Sequence, residues 1–302
     1  MTSTIDKCAI EHCNFTNDDS NYHINDKESV LNISSNSSSS DKNYYLENEN
    51  FNSKFCQSKY PILKGLTKEE EYKLEEFQKE PIAKGIAPEY LMLFLFAKKL
   101  SIEKASQLME NNLEFRKKLE LPFPILKKDV DPEIALKCSS FCFIGKRDKL
   151  SRSISYLVPS KITPRDYSFK EYLTFMIWNI DQTIHDSSNS HRQGLVIIQD
   201  LKNFSLFKNF DYRLNQFLEG KSLENIFPGR IQKIYIVNPP FYLKTLLVFA
   251  KTFVKNKIIS RVEITKKEKL LEDIDSDQLL SQYGGTLELT YQQYFDSLPL
   301  DF

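Results

Sequence analysis

The chain has 302 residues, 41% of them apolar and 13% aromatic, enough for a sizeable buried core, and its 41 basic and 41 acidic side chains cancel. The longest apolar run, Leu91–Ala97, is far short of the ~20 residues that a membrane-spanning helix needs, and no charged and then apolar leader opens the sequence. Five cysteines without framework spacing (Cys8, Cys13, Cys56, Cys138, Cys142) argue against a disulfide scaffold, so the expected setting is the reducing cytoplasm.

Residues 1–60 hold 10 Asn and 11 Ser and no apolar period. Such a segment buries too little surface to offset its ordering entropy, so it is expected to be a disordered extension. Residues 61–124 read as a small all-helical subdomain. A charged segment over Lys68–Lys79 keeps Leu74 and Phe77 on one side, Glu89–Lys99 is a dense apolar helix, and Ser101 caps a helix that carries Ala105, Leu108, Met109, Leu113 and Phe115. From residue 125 the character becomes α/β. Strands are expected at Ser140–Gly145, Ser153–Val158, Gly194–Leu201, Ile231–Val237 and Ile259–Thr265. Helices over Phe169–His185 and Phe210–Ile226 separate the later ones, which favours crossover connections and a mixed, mostly parallel sheet.

The most informative stretch is residues 242–254. Leu243, Leu246, Leu247, Ala250, Phe253 and Val254 follow one helical face, while Lys244, Lys251 and Lys255 fall on the other. One face suits oil and the other suits anions. Residues 228–269 contain 10 Lys or Arg against only Glu263 and Glu268, so the neutral total conceals a basic patch that calls for an anionic partner. Nucleic acid fits poorly, because no aromatic platform interleaves with these cations.

Other constellations carry less. Gly220-Lys221-Ser222 has the end of a phosphate loop, but Asn215 stands where its first Gly belongs. Asp181, His185, Asp186 and His191 offer titratable chemistry at a helix end and in a polar loop; without a Ser or Cys elbow they read as solvated loop residues. Cys138 and Cys142 read as core packing, and Asp200 as a satisfier of nearby backbone. No nucleophile and base pair stands out, so no enzyme, cofactor or metal is expected.

Phe227-Pro228-Gly229-Arg230-Ile231-Gln232-Lys233-Ile234-Tyr235-Ile236-Val237-Asn238-Pro239-Pro240 resembles the CRAL-TRIO consensus, a Tyr/Phe-Pro and a basic residue before a strand ending in Asn-x-Pro. Further pieces resemble the family in the right order. They are the helical segments from Leu91 to Arg116, Asp148 with Arg152 and Ile154, Gly194–Lys202, and Gly284-Gly285-Thr286, so the likeness covers roughly residues 61–289. In the Asp-x-x-Gly-Arg-Pro-Val piece, Ser151 and Ser153 replace Gly and Pro. The resemblance implies a CRAL-TRIO α/β fold, in which the sheet floors a hydrophobic pocket, a gate helix closes it, and the helical subdomain precedes it. Residues 125–289 would be the lipid-binding domain and residues 290–302 a tail. Pocket positions would be Phe175, Ile180, Leu195, Ile197, Ile236, Leu243, Leu246, Leu247, Ala250, Phe253 and Val254.

The phosphatidylinositol/phosphatidylcholine exchange branch grips its headgroups with residues that here read Gly229, Ile258, Arg261, Leu195 and Ile197, so only one charge is kept. The alpha-tocopherol and retinaldehyde transfer branch is more similar. Arg230, Lys257 and Arg261 match basic positions of its phosphoinositide cluster, Lys98 occupies another, and Lys251 adds a cation on the outer face of the gate. The expected function is to bind a small hydrophobic lipid inside and to transfer or present it at phosphoinositide membranes, as a cytoplasmic protein that associates with them reversibly. The alternatives are phospholipid exchange, or a lipid-regulated interaction module in trafficking or signalling whose protein partner engages residues 1–60.

Overall fold

Thr67 starts the first helix with reciprocal bonds: its hydroxyl accepts from the Glu70 N–H at 3.2 Å, and the Glu70 carboxylate accepts from the Thr67 N–H at 2.8 Å. This helix, α1 (Lys68–Phe77), packs with α2 (Pro88–Ala97) and α3 (Ile102–Lys118) around Leu74, Phe77, Leu108 and Met109. Tyr90 through Phe96 are all buried, so α2 is apolar on every side and forms the middle of the subdomain rather than its surface. A computed structural model describes residue 55 and residues 57–138 and 141–301; the expectation for residues 1–60 lies almost wholly outside them.

Next come α4 (Pro132–Cys138), β1 (Phe141–Arg147), β2 (Ser153–Leu157), α5 (Phe169–Asp181), α6 (Ser188–Gln193), β3 (Leu195–Asp200), α7 (Leu206–Asn209) and α8 (Arg213–Leu218). The chain continues with β4 (Ile231–Val237), α9 (Leu243–Ala250), α10 (Asn256–Ile259), β5 (Val262–Ile264), α11 (Lys267–Asp273) and α12 (Tyr291–Ser297). The sheet order is β1-β2-β3-β4-β5, with β1 antiparallel to β2 and every other pair parallel, so the expected mixed sheet is present. The period of two divides its faces. Ile154, Tyr156, Val196, Ile198, Tyr235 and Val237 pack on one face against Leu270, Ile274, Leu279 and Tyr283. Ser153, Ser155, Leu157, Leu195, Ile197, Ile234 and Ile236 alternate with them and occupy the other. Each fully buried aliphatic side chain here contributes roughly 1.5–3 kcal/mol.

Three expectations are corrected. Residues 210–226 are not one helix: Asp211 caps the Arg213 N–H at 3.0 Å, α8 lasts six residues, and Glu219 and Gly220 turn left-handed at φ +49° and +76°. The last strand is three residues rather than seven, because Asn256–Ile259 stays helical and tucks Ile258 inward. Residues 290–302, expected as a tail, include α12, whose Phe295 stacks edge-on against the buried Trp178 at 5.6 Å. The described chain also closes on itself, since Lys59 Nζ pairs with Asp301 at 3.1 Å.

A buried ion pair locks the subdomain to α5. Arg116 on α3 forks onto Asp181 at the end of α5 at 2.6 and 3.0 Å, both side chains being 2% exposed. Asn112 accepts from Arg116 Nε at 2.8 Å, and Asp181 also accepts from the Ile125 N–H at 2.8 Å. All partners are satisfied, which makes a buried pair tolerable.

Candidate functional site

A small, half-open cleft lies at the N-terminal ends of β2 and β3. Leu93, Phe96 and Ala97 of α2 form one wall, Asn179, Ile180 and Thr183 another, and Ser153, Ser155 and Leu195 the floor; Pro228-Gly229-Arg230 is the rim. Gly194 brings β3 and the rim together. At φ +91° it sits so close to the Arg230 carbonyl that a Cβ would approach that oxygen to 2.5 Å. At Gly229, by contrast, a Cβ would meet nothing within 4 Å, so the rim is open where the exchange branch carries Glu.

The sheet face continues from the cleft to α9. Ile197, Ile234, Ile236, Leu243 and Ile258 are buried together, with Leu195, Leu246, Leu247 and Val254 packed against them. Seven of the expected pocket residues therefore meet here: Leu195, Ile197, Ile236, Leu243, Leu246, Leu247 and Val254. Leu195 is shared with the cleft, and Ile180 lines the cleft alone. The stripe is not one continuous helix. It ends at Ala250, which is half-buried, and Phe253 follows in a turn, where it meets Phe210 at 4.9 Å and Phe249 at 5.1 Å. Phe175 is placed elsewhere, under α12 near Trp178 (6.4 Å) and Tyr291 (6.5 Å).

The expected cations divide into two groups. Lys251 and Lys257 are exposed. The other three hold backbone: Lys98 Nζ donates to the Glu224 carbonyl at 3.0 Å, Arg230 to the Arg192 carbonyl at 2.6 Å, and Arg261 to the Ile231 carbonyl. Burial, and then the neighbouring Arg261, depress the Arg230 pKa; burial, and then Lys255, depress that of Lys98. Lys255, expected beside Lys244 and Lys251, instead fastens the end of the gate segment. Its N–H donates to Glu224 Oε1 at 3.0 Å and its Nζ to Asn225 Oδ1 at 2.8 Å.

The expectation of solvated titratable loop residues is overturned. Asp181 is in the buried lock, and Asp186 is 4% exposed, accepting from Arg147, Ser153 and the Ser187 N–H. His191 lies parallel to Phe96 at 5.7 Å and contacts the Thr183 carbonyl at 2.8 Å; burial pushes its pKa down to about 4. Burial pushes His185, beside Tyr60, down to about 4 as well. The signal for Asp186 was Ser153, a departure from the motif whose hydroxyl the carboxylate holds. Asp200 accepts from Asn238 Nδ2 at 2.8 Å and the Lys202 N–H at 3.0 Å, as a strand-end satisfier should. Cys138 is buried among apolar side chains, which raises its thiol to about 11. No helix among the described residues is long and apolar enough to cross a membrane.

A mixed, mostly parallel sheet flanked by helices, with a cleft at one end and an apolar cluster under α9 at the other, defines the class of α/β protein, and sequence comparison names the family. Residues 137–285 match the CRAL/TRIO domain family. A CRAL-TRIO domain-containing protein of Dictyostelium discoideum is 51% identical over 249 residues, 82% of this chain and 97% of that protein. The chain belongs to the CRAL-TRIO domain family, whose members bind small hydrophobic lipids. The human alpha-tocopherol transfer protein-like is 26% identical over 65% of this chain and 58% of its own length. A human tyrosine-protein phosphatase, non-receptor type 9, is 26% identical over 78% of this chain but only 40% of its own length.

Proposed function

We propose that this protein takes a hydrophobic lipid into the cleft and beneath the gate helix α9, and transfers or presents it at phosphoinositide-containing membranes without covalent chemistry. One observation carries the reading: α9 turns Leu243, Leu246 and Leu247 onto the sheet while Lys244 and Lys251 stay exposed. Phe241, fully exposed, and Val248, 66% exposed, stand beside those lysines, an arrangement suited to an anionic surface with an apolar interior. Burying a lipid chain yields ~0.8 kcal/mol per methylene, enough to extract it from a bilayer, and each surface Lys near anionic lipid adds about 1 kcal/mol. Inositol/choline exchange fits less well, because Ile258 is 8% exposed in the apolar cluster where that branch carries Thr, and Leu195 and Ile197 replace its hydroxyl residues.

Mass spectrometry of lipid extracted from freshly purified protein tests the cargo: a neutral apolar lipid is expected, and stoichiometric phosphatidylinositol would establish exchange instead. Lys251→Glu with Lys257→Glu is expected to slow transfer to phosphoinositide vesicles on the order of thirtyfold, from two lost contributions of about 1 kcal/mol. Loading should be unchanged, and unaltered transfer would refute the membrane role.

A further inference from the structure

The short helical turn Leu223–Asn225 stands between the helical subdomain and the gate, and it is held from both sides. The last carbonyls of a one-turn helix find no partner within it. Here the subdomain supplies donors to three in succession. Lys98, just past α2, donates to the Glu224 carbonyl at 3.0 Å, and Asn111 and Asn112 of α3 donate through Nδ2 to those of Asn225 and Ile226 at 2.9 and 3.0 Å. The Asn112 amide can point only one way, because Arg116 has only donors and the Ile226 carbonyl only accepts; its Oδ1 takes Arg116 Nε at 2.8 Å. Asn112, 0% exposed, thereby joins the turn to the Arg116–Asp181 pair. On its other side the turn grips the chain just past α9: the Leu223 N–H donates to the Phe253 carbonyl at 3.0 Å, and Glu224 Oε1 accepts from the Lys255 N–H at 3.0 Å. Between α9 and this grip lie Lys251 and Thr252, both exposed. The front of α9 is held differently. The Tyr242 hydroxyl donates to the Phe204 carbonyl in a loop, Leu243 is buried, and Phe241 is fully exposed.

We infer that Asn112 and Glu224 are positioning residues for lipid entry and release: through the turn 223–225 the helical subdomain fixes the rear of the gate, and α9 swings about Lys251 and Thr252 from its Phe241 end. This rests on the lipid-binding reading above and adds which end moves and what holds the other. Opening at the rear breaks hydrogen bonds that share a frame with the buried ion pair, and leaves the Glu224 carboxylate without the Lys255 N–H. Opening at the front breaks a hydroxyl bond to a loop and then peels Leu243, Leu246 and Leu247 from the sheet, contacts that have no preferred direction. The front is the easier path. The helical subdomain thus sets the motion of the gate as well as walling the cleft.

Residue-resolved amide exchange on the full chain tests the pivot, together with uptake and release of N-phenyl-1-naphthylamine, a neutral apolar fluorophore. Residues 243–248 are expected to be protected about tenfold less than Phe253–Lys255, the yield of one net hydrogen bond. Glu224→Ala should bring the Lys255 amide down to the level of the front and speed release of the fluorophore about tenfold. Glu224→Gln, which keeps an oxygen acceptor for that N–H, should restore both. Should Glu224→Ala fail to fold, Asn111→Ala, which removes a half-buried donor from the Asn225 carbonyl, takes its place with the same loss of rear protection. Equal protection at the two ends of the unaltered gate, or a rear that exchanges faster, would overturn the pivot and leave the pocket standing. So would release from Glu224→Ala at the original rate, or release from Glu224→Gln as fast as from the Ala variant. Failure to take up the fluorophore at all would overturn the lipid-binding reading, and the pivot with it.

Discussion

The junction between the helical subdomain and α5 and the attachment of α9 to the sheet are held by different forces. At the junction a forked, fully desolvated ion pair, Arg116 with Asp181, is backed by Asn112 and the Ile125 N–H. At the gate, only Leu243 of α9 is buried; Leu246 and Leu247 are half-buried, and Val248 faces outward. The first arrangement has one geometry and a steep penalty for leaving it. The second is apolar, directionless and shallow, so its opening free energy lies toward the low end for the molecule.

The sharpest way to break this contrast is Arg116→Met. It leaves Asp181 buried and uncompensated, and is expected to cost about 3–5 kcal/mol in urea denaturation. A loss below about 1 kcal/mol would show that the junction is not the rigid half. Acid is the next probe of the same side. His191 and His185 are held at about 4 against an ordinary 6.5, so between those values the unfolded chain binds more protons than the folded one. Stability should be complete above pH 6.5, fall as pH drops toward 4, and lose nothing further to these groups below it; His191→Gln should flatten the slope. The smallest expected effect is at the gate. Leu246→Ala should cost only about 1 kcal/mol of global stability while hastening amide exchange in residues 243–250 and lipid release. A global loss as large as that of Arg116→Met would erase the distinction.

Most of the fold was legible because its signals are local. Ile231–Val237 reads as a strand from its own residues, and Ser101 announces α3; its hydroxyl accepts from the Lys104 N–H at 3.5 Å. The break in residues 210–226 also had a local signal, Gly220, a common residue just past a helix end. The apolar half of the site was legible as well, since Leu243, Leu246 and Leu247 share a helical face whatever lies beneath. Asp186 and His191 could not be read the same way. Nothing in the sequence nearby says that Asp186 will meet Arg147, 39 residues away, or that His191 will lie on Phe96, 95 residues away. Polar residues become structural through partners, and these partners are brought by topology.

The pairing of Lys59 with Asp301 has a consequence for architecture. A folded unit whose entry and exit lie side by side can be spliced into or onto another polypeptide without stretching either, and new ends can be opened elsewhere by joining the old ones. The matched region fills only 40% of a far larger phosphatase, which is how a cassette of this kind would be carried.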